Sequence, residues 1–429
     1  MSKINQHNFD ELVHDKFCIA PWVSVYVDTL GRYAPCCVYN HGTDTEPNTI
    51  GNIYDSPLSE IIKSDKLNDL KDKMLNNESV SACSACHSTD GKRYFTKDSY
   101  NTKYYKNHSN LLKTNETKFI EWDIRVSNLC NFKCRMCSPL WSTAWLDEWK
   151  KLYPNEDMFN KLITIEDSNS FWDELENHLP YVEHVYIAGG EPFLIKKNYQ
   201  LIEKLSKINK DIVIRYNTNL SNLSIKEKNI LTLLKDFNHI EFGLSIDGIG
   251  NVGEYIRTGL DTTKWESNLN ELLSFKSDRD DKFITSINFD YTFNVMNYLH
   301  SFEFVTWITN RVLLNWQDVN GVDTANIQIK ANPLHGPEYY NVQWLPMSIK
   351  NEFKLRMDEY LTKNKNKLNN TTFESVYVFL NTIYDFSMVG EYDIDLNNEF
   401  IKFTNKLDDI RNEDYTKVLD AVLIDKITL

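Results

Sequence analysis

The sequence lacks several features that would place it in other classes of protein. Its 429 residues include only eight cysteines, and none of them follows residue 137. No apolar run reaches the roughly 18 residues that a transmembrane helix requires. The opening residues, MSKINQHNFDELVHDK, contain no apolar stretch typical of a signal peptide. These absences argue against a membrane protein and predict a cytoplasmic location.

Positive charge is also in short supply. The chain has 47 Lys and Arg against 61 Asp and Glu, for a formal net charge of −14. With this balance and no long basic run, we do not expect it to bind duplex nucleic acid. Hydrophobic residues make up 41% and aromatic residues 13% of the chain, which is typical of a folded globular protein. Its length predicts two or more domains.

One group of cysteines is confined to a short segment, Cys130-Asn-Phe-Lys-Cys134-Arg-Met-Cys137. Three thiolates this close can ligate three irons of a cubane cluster and leave its fourth iron open. A structural zinc site would require a fourth ligand. We therefore interpret the three cysteines as iron–sulfur ligands. The alternative is that they are buried and pack as small hydrophobic residues.

The second group consists of Cys18, the adjacent Cys36 and Cys37, and the pair Cys83 and Cys86. Four thiolates from two hairpin-like segments could ligate a second 4Fe–4S cluster, with one of the two adjacent cysteines redundant. A tetrahedral zinc site would use the same residues, and the spacing leaves both interpretations open. Gly31 is predicted to form the tight turn between the strands of the first hairpin.

From residue 119 onward, strand-like and helix-like segments alternate. The predicted strands are 119–127, 182–190, 211–219, 239–248, 284–295 and 326–332. Amphipathic stretches such as KKNYQLIEKLSKI and WESNLNELLSF lie between some of them. This alternation predicts an α/β fold with a parallel sheet and crossover helices. An open doubly wound sheet and a partial barrel both fit the pattern.

We divide the chain into four predicted segments. Residues 1–87 form a small domain containing the second cysteine group, and 88–118 a polar connector rich in Tyr and Lys. Residues 119–345 form the sheet domain. Residues 346–429 form a helical extension, in which EFIKFTNKLDDIRNEDYTKVLDAV is the clearest amphipathic stretch. The basic connector is interpreted as a solvated linker, and the alternative is a surface for an anionic substrate or partner.

Polar motifs follow several of the predicted strands. They are Gly189-Gly190-Glu191-Pro192, Asn217-Thr218-Asn219 and Ser245-Ile246-Asp247-Gly248, with Arg257 shortly after the last. Functional groups gather at the carboxyl ends of strands in parallel sheets and barrels. Each motif alone is also compatible with an ordinary turn or helix cap. Together with the three-cysteine segment, they predict a site at this edge of the sheet.

The CxxxCxxC segment followed by Gly-Gly-Glu-Pro resembles the radical S-adenosylmethionine (SAM) enzymes over roughly residues 119–335. The resemblance implies a partial (β/α)6 TIM-like barrel. It also implies a 4Fe–4S cluster held by Cys130, Cys134 and Cys137, with SAM bound at the open iron.

The same resemblance implies roles for residues around SAM. Gly189, Gly190 and Glu191 would hold the methionine amino group, and Arg257 would pair with the carboxylate. Ser245 and Asp247 would contact the ribose. The backbone at Met136 would lie near the adenine, and Asn219 would supply a further polar contact. Met136 departs from the family pattern, which often has an aromatic residue at this position.

The N-terminal cysteines resemble the opening of the SPASM pattern in its shorter "twitch" form, here placed before the barrel instead of after it. This implies a second 4Fe–4S cluster ligated by Cys18, Cys36, Cys83 and Cys86. The Gly-x4-Cys spacing favours Cys36 over Cys37, but the choice between them stays open.

The implied activity is reductive cleavage of SAM to a 5′-deoxyadenosyl radical, which abstracts a hydrogen atom from a peptide or a small polar metabolite. The auxiliary cluster would then oxidise the substrate radical, and a flavodoxin or ferredoxin would donate electrons. The alternative is a non-enzymatic iron–sulfur electron carrier or a four-cysteine zinc scaffold. That alternative leaves Gly-Gly-Glu-Pro and Arg257 unexplained.

Overall fold

The structure is a computed structural model that describes residues 16–39, 49–87, 96–155, 161–274, 284, 286–313 and 327–427. The strands are β1 Ser24–Val27, β2 Arg32–Ala34, β3 Gly51–Asn52, β4 Glu121–Arg125, β5 Lys133–Cys134, β6 His184–Ala188, β7 Val213–Thr218, β8 Ser224–Ile225, β9 Lys228–Asn229, β10 His239–Ser245, β11 Arg257–Thr258, β12 Ser286–Phe293 and β13 Ile327–Pro333.

The α-helices are α1 Ala20–Val23, α2 Leu58–Ile61, α3 Asp65–Leu75, α4 Ser84–His87, α5 Thr96–His108, α6 Asn110–Thr114, α7 Leu146–Leu152, α8 Asn169–Glu176, α9 Lys196–Leu205, α10 Ile230–Leu234, α11 Gly250–Ile256, α12 Thr262–Ser274, α13 Ser301–Ile308, α14 Met347–Asn364, α15 Asn370–Ser387, α16 Ile394–Arg411 and α17 Ala421–Ile427.

The chain packs as two compact units. Among the described residues, the first unit draws on Met1–Asn128, Ile163–Arg215 and Asp236–Asn238. The second draws on Leu129–Leu162, Tyr216–Lys235 and His239–Leu429. Strand β7 contributes residues to both.

The first unit contains a mixed sheet in the order β6-β4-β1-β2-β3. Strands β1, β4 and β6 run parallel, so that Tyr26 lies beside Asp123 and Asp123 beside Tyr186. Strand β2 returns antiparallel to β1. Gly31 forms the turn between them with a φ of +75°, which confirms the predicted tight turn. The N-terminal hairpin therefore extends the same sheet from the edge of β4.

One face of this sheet is covered by helices α8 and α9. Trp122 and Ile124 of β4 are fully buried on that face. Trp122 lines a groove with Trp172 and Leu175 of α8 and Leu201 of α9. The spacing of apolar residues in α9, three or four apart, lets the helix bury one side against the sheet. Asp123 and Arg125 alternate with these residues and face the other way.

The second unit contains strands β10, β12 and β13, which are adjacent and parallel in that order. Leu244 lies beside Phe289, and Phe289 lies beside Ile329. Aromatic residues of the C-terminal helices pack on this layer, with the ring of Phe379 on α15 5.4 Å from that of Tyr291. Strands β5 and β11 form a separate antiparallel pair.

Each of the six predicted strands contains an observed strand, and the parallel pairing confirms the α/β fold class. The helical character of the chain after residue 346 is also confirmed. The amphipathic stretch 399–422 is interrupted, however, because α16 ends at Arg411 and is capped by Asn412, whose φ of 54° is left-handed. No helix in the described ranges is long and apolar enough to cross a membrane.

Two local predictions in the N-terminal region were wrong. The described part of the connector, 96–118, forms α5 and α6 and buries Tyr100 and Tyr104, so it is not a solvated linker. Residues 88–95 of the connector lie outside the described residues. The segment with Cys83 and Cys86 is helical, not hairpin-like.

Candidate functional site

The three-cysteine segment of the second unit is anchored by strand pairing. Cys134 ends β5, which pairs with β11 so that Cys134 and Arg257 are directly opposed. The Arg257 guanidinium donates from Nη1 to the Cys134 sulfur over 3.8 Å. Cys137 folds back onto the same turn, with its backbone N–H donating to the Cys134 carbonyl at 2.9 Å. The segment is therefore a compact loop with a cation beside one of its sulfurs.

A second polar side chain reaches the first cysteine of the loop. The Asn219 amide donates from Nδ2 to the Cys130 sulfur over 3.8 Å and to Asn131 Oδ1 over 3.2 Å. The backbone N–H of Phe132 also donates to the Cys130 sulfur, over 3.5 Å. Asn219, predicted as a cofactor contact, thus lies against the cysteine loop.

The electrostatics of the loop suit thiolates that bind a positively charged group. Burial raises the pKa of Cys134, and the Arg257 guanidinium opposes this shift. Burial also raises the pKa of Cys137, and its two neighbouring cysteines raise it further. Thiols in such a position stay protonated unless a metal replaces the proton. Three cysteines in one loop, two of them with raised pKa values, are therefore a chemically reasonable donor set for iron.

Arg257 is held by Asp247. The Arg257 Nε and the Asp247 Oδ2 are 2.6 Å apart, and Asp247 is fully buried. Its Oδ1 accepts from the backbone N–H of Thr292 at 2.7 Å, and its carbonyl accepts from Asn297 at 2.8 Å. Burial alone would lower the pKa of Arg257, but Asp247 and Cys134 raise it, so the guanidinium stays charged.

Two further predicted residues of the second unit flank this arrangement. Ser245 is the last residue of β10, half-buried and directly beside Asp290 of β12. Met136 lies within the cysteine loop and is also half-buried. In the sequence, Ser245 lies two residues before Asp247, and Met136 directly precedes Cys137.

The Gly-Gly-Glu-Pro motif of the first unit follows β6 in a conformation that requires glycine. Gly189 has a φ of +127°, and a Cβ there would lie 2.9 Å from the Ser127 carbonyl oxygen. The Gly190 N–H donates to that oxygen at 2.8 Å. Glu191 is fully buried and its Oε1 accepts from the Phe193 N–H at 3.1 Å. The carboxylate therefore has a structural contact in addition to its predicted role.

The N-terminal cysteines of the first unit line one recess. Its lining includes Cys18, Cys36, Cys83 and Cys86, together with Lys97. Burial raises the pKa of both Cys18 and Cys83 to about 12.

The adjacent Cys37 differs from Cys36 in its surroundings. Cys36 is buried against the recess, whereas Cys37 is exposed and hydrogen-bonded to Asp123.

Within the described residues, no three Cys, His, Asp or Glu side chains lie close enough to share one metal ion. A cubane binds each thiolate through a different iron, so its ligands need not converge on one point.

The C-terminal helix α16 braces the cysteine loop, which the sequence did not predict. Arg135 lies between two of the cysteines, is fully buried, and forms ion pairs with Asp408 and Glu413. Its guanidinium also stacks 3.6 Å from the Tyr255 ring centroid. Arg411 donates to the Lys133 carbonyl at 2.9 Å. In the sequence, the basic residue Arg135 inside the CxxxCxxC segment was the one local feature that could have indicated an ion pair at this loop.

Asp290 on β12 and Asn332 on β13, which form a polar row with the predicted Asn217 of β7, were also missed. Asp290 accepts from Asn217 at 3.5 Å and from Asn332 at 3.4 Å. A side chain at Gly243 would collide with Asn217 and Asp290. The sequence could have indicated these residues, because polar and apolar residues alternate in SINFDYTF. This alternation places Asn288 and Asp290 on one face of β12.

Comparisons with known proteins match two family models to this chain. The Radical SAM superfamily model matches residues 124–315, and the iron–sulfur cluster-binding domain model SPASM matches residues 18–87. A comparison with curated proteins found no match.

Similar solved structures share little sequence with the chain. SuiB of Streptococcus suis bound to S-adenosylmethionine is 13% identical, with 80% of this chain and 68% of that chain covered and a TM-score of 0.33. SuiB bound to the precursor peptide SuiA is 14% identical, with coverages of 80% and 70% and a TM-score of 0.33. TYW1 with a lysine–pyruvate adduct is 14% identical, with coverages of 58% and 72% and a TM-score of 0.28.

The two matched regions coincide with the two cysteine groups and occur in the order that the motifs predicted. The first contains Cys18 to Cys86, and the second contains the CxxxCxxC loop, Gly-Gly-Glu-Pro and Arg257. The chain therefore carries a radical SAM superfamily domain at residues 124–315 and an iron–sulfur cluster-binding domain of the SPASM family at residues 18–87.

Proposed function

We propose that the chain is an enzyme that cleaves SAM reductively and uses the resulting radical to oxidise a peptide or a small polar metabolite. The observation that carries the proposal is the set of contacts around Arg257. This cation, whose side chain is 11% exposed, lies 3.8 Å from the Cys134 sulfur and 2.6 Å from the Asp247 carboxylate. A charge fixed beside a cluster ligand is suited to an anionic group of a cofactor bound at the cluster.

The residues fit the groups that the family implies. Cys130, Cys134 and Cys137 supply three thiolates from one loop, which suits a cluster with one open iron. Gly189 lets the loop after β6 pass close to the Ser127 carbonyl, where a Cβ would collide. When both are bound, the cluster and SAM supply a 5′-deoxyadenosyl radical, which removes a hydrogen atom from the substrate.

The protein's own residues orient these groups. We propose that Arg257 pairs with the SAM carboxylate and that Asp247 positions Arg257, since both Asp247 oxygens already have protein partners. Asp247 would then be a positioning residue instead of the ribose contact that the sequence predicted. Asn219 would orient the Cys130 sulfur through its 3.8 Å contact. Ser245 and the backbone at Met136 keep their predicted roles as ribose and adenine contacts.

For the Gly-Gly-Glu-Pro motif, we propose that Gly189, Gly190 and Glu191 bind the methionine amino group. The buried Glu191 carboxylate is held in place at the end of β6, where it accepts from the Phe193 N–H. A carboxylate in this state is a strong acceptor for a charged donor.

We further propose that Cys18, Cys36, Cys83 and Cys86 ligate a second 4Fe–4S cluster in the recess they line. A fully ligated cluster has no open iron for substrate, so its role would be electron transfer. An external donor such as flavodoxin or ferredoxin would supply electrons for SAM cleavage.

Anaerobic reconstitution tests the proposal. The protein, loaded with iron and sulfide and reduced with dithionite, is expected to release 5′-deoxyadenosine from SAM, measured by chromatography. The triple variant Cys130→Ala, Cys134→Ala, Cys137→Ala is the control and should release none. A wild-type protein with intact clusters by electron paramagnetic resonance but no 5′-deoxyadenosine would be an electron carrier instead.

The electron-transfer role of the second cluster has its own test. A variant with Cys83→Ala and Cys86→Ala should still cleave SAM with dithionite but should not accumulate oxidised product. Its fold is checked by the iron content of the remaining cluster, because losing a cluster can unfold the module it organises. Normal product formation by this variant would show that the second cluster is only structural.

A further inference from the structure

The inner face of the first unit's sheet carries a row of polar residues that the sequence motifs did not single out. Tyr26 on β1, Asp123 on β4 and Tyr186 on β6 are side by side in the strand register. Trp122 and Ile124 of β4 alternate with Asp123 and are buried on the other face, under the helices. The row therefore faces away from the helical layer.

Helix α5 closes the amino-terminal end of this face. Ser24 and Glu121 lie one row below Tyr26 and Asp123 in the same register. The Tyr100 hydroxyl lies 3.0 Å from the Ser24 hydroxyl, and the Tyr104 hydroxyl donates to Glu121. The level of Ser24 and Glu121 is thus occupied by the tyrosines of α5, and the polar row of Tyr26, Asp123 and Tyr186 is the next level up. The exposed Cys37 lies beside this row, next to Asp123.

Two arginines are associated with the row. Arg125 Nε and Nη2 donate to the two oxygens of Asp123 at 2.8 and 3.1 Å, which neutralises both charges. The Arg125 guanidinium stacks on the Tyr186 ring at 4.8 Å from its centroid. Arg215 stacks on the same ring at 5.0 Å. Tyr186 therefore lies in contact with two guanidinium groups.

Arg215 has no carboxylate partner among the described residues, in contrast to Arg125. Its Nε is buried without a hydrogen-bond acceptor in the described part of the chain. Three carboxylates of this sheet are engaged elsewhere: Asp123 with Arg125, Asp28 with Arg32 at 2.7 Å, and Glu121 with Lys103 at 3.2 Å. Among the described residues, the Arg125 guanidinium therefore has an ion pair and the Arg215 guanidinium has none.

We propose that Arg215 and the row around it form a binding site for an oxyanion of the substrate, a carboxylate or a phosphate group. The contact with the Tyr186 ring, 5.0 Å from Cζ to the centroid, restrains the guanidinium without using its N–H donors. A planar fork of donors is complementary to two oxygens of one anionic group. The Tyr186 hydroxyl adds a neutral donor on the same face.

This inference rests on the proposed function, because it names the substrate class as anionic. The proposed substrate is then a peptide or a small polar metabolite that carries an acidic group. An uncharged sugar or an uncharged peptide segment would leave the Arg215 charge partly buried and unpaired, which is costly. Arg215 would therefore select substrates and does not take part in the cleavage of SAM.

The test measures anion binding without SAM. Full-length, cluster-loaded protein is titrated separately with succinate and with inorganic phosphate, and the dissociation constant is obtained from the ligand dependence of the thermal midpoint. We expect Arg215→Gln to weaken binding at least tenfold and Arg215→Lys to weaken it less. Lys210→Gln is the matched control, because it removes one positive charge from an exposed site of the same unit.

A second measurement covers the possibility that the variants fold poorly. In the wild-type protein, phenylglyoxal modification of Arg215 is followed by peptide mass spectrometry with and without each anion, and the exposed Arg311 serves as the reference. Protection of Arg215 but not of Arg311 supports the site. Equal binding by wild type and Arg215→Gln, or no protection of Arg215, overturns it. The preferred probe distinguishes a carboxylate from a phosphate ligand.

The two proposals fail in different ways. Absence of 5′-deoxyadenosine from the wild-type protein contradicts the proposed function whatever the anion titration shows. Unchanged anion binding in Arg215→Gln contradicts this inference even when SAM is cleaved normally.

Discussion

Arg257 and Cys134 face each other across the β5–β11 pair, with the guanidinium Nη1 3.8 Å from the sulfur. The two residues are 123 positions apart in the sequence, and backbone hydrogen bonds fix their separation. A cation this close stabilises the thiolate form of a cluster ligand. Asp247 holds the same cation from its other side. The cysteine loop and the proposed cofactor contact are therefore parts of one hydrogen-bonded arrangement.

Removal of the Arg257 charge is expected to weaken SAM binding. A charge-assisted hydrogen bond contributes about 1.5–3 kcal/mol, so Arg257→Gln should raise the dissociation constant of SAM at least tenfold. Binding is measured by equilibrium dialysis on reconstituted protein, and iron content checks that both clusters persist.

The Arg257→Gln variant leaves the buried Asp247 without its cation, so a second variant is needed. Arg257→Gln combined with Asp247→Asn removes both charges and restores neutrality. SAM binding should stay weak in this double variant while stability recovers. Wild-type affinity in the double variant would rule out Arg257 as a SAM contact.

Cluster stoichiometry should distinguish the adjacent cysteines Cys36 and Cys37. Wild-type protein is expected to hold about eight irons, from two 4Fe–4S clusters. Cys36→Ala should leave about four, because Cys36 lines the four-cysteine recess. Cys37→Ala is the matched control and should retain about eight, because Cys37 is exposed and bonded to Asp123. A reversed result would exchange the two assignments. Iron and sulfide assays with zinc analysis provide the measurement.

The ion pairs of Arg135 are expected to stabilise the second unit and its cysteine loop. Arg135→Ala leaves the buried Asp408 carboxylate without its cation, and breaking such a pair costs about 3–5 kcal/mol. The thermal midpoint should fall, and the iron bound by the three-cysteine loop should be lost first.

The control for this prediction is an exposed ion pair of the same region. Lys417→Ala breaks a 2.9 Å contact with Asp414 at the surface, where such pairs contribute little. It should leave the thermal midpoint and the iron content unchanged. Equal effects of Arg135→Ala and Lys417→Ala would show that α16 does not brace the loop.

Stability is expected to fall in mild acid because of buried histidines. His300 accepts from the Ile249 N–H at 3.2 Å, and burial lowers its pKa to about 4. Burial lowers the pKa of His178 and His184 to about 4 as well. Below pH 6.5 the unfolded chain binds protons that the folded chain does not. Each histidine therefore costs about 2 kcal/mol of folding free energy at pH 5.

This pH dependence is measured as the thermal midpoint of cluster-free protein between pH 7.5 and pH 5. His300→Gln should reduce the slope, because one of the three titrating groups is gone. The same slope in wild type and variant would mean that His300 is not held neutral in the folded protein.

The sequence determined the local chemistry of this protein. Spacings such as Cys130-x3-Cys134-x2-Cys137 are properties of a short segment, and they predict a shared metal group whatever surrounds them. Alternation of strand-like and helix-like segments predicted the parallel strands, because a pattern of period two or 3.6 is visible within a dozen residues. Gly31 was placed correctly in a tight turn for the same local reason.

Only the tertiary structure decided which distant residues meet. Asp247 was predicted as a ribose contact, but the sequence gives no sign that it faces Arg257. The pairing of Arg135 with Asp408, 273 positions away, depends on where α16 packs. Cys36 lines the recess and the adjacent Cys37 is exposed, and the turn that follows β2 decides which of the two faces the recess. Such contacts arise from register and helix packing, which are set by the burial of many side chains together.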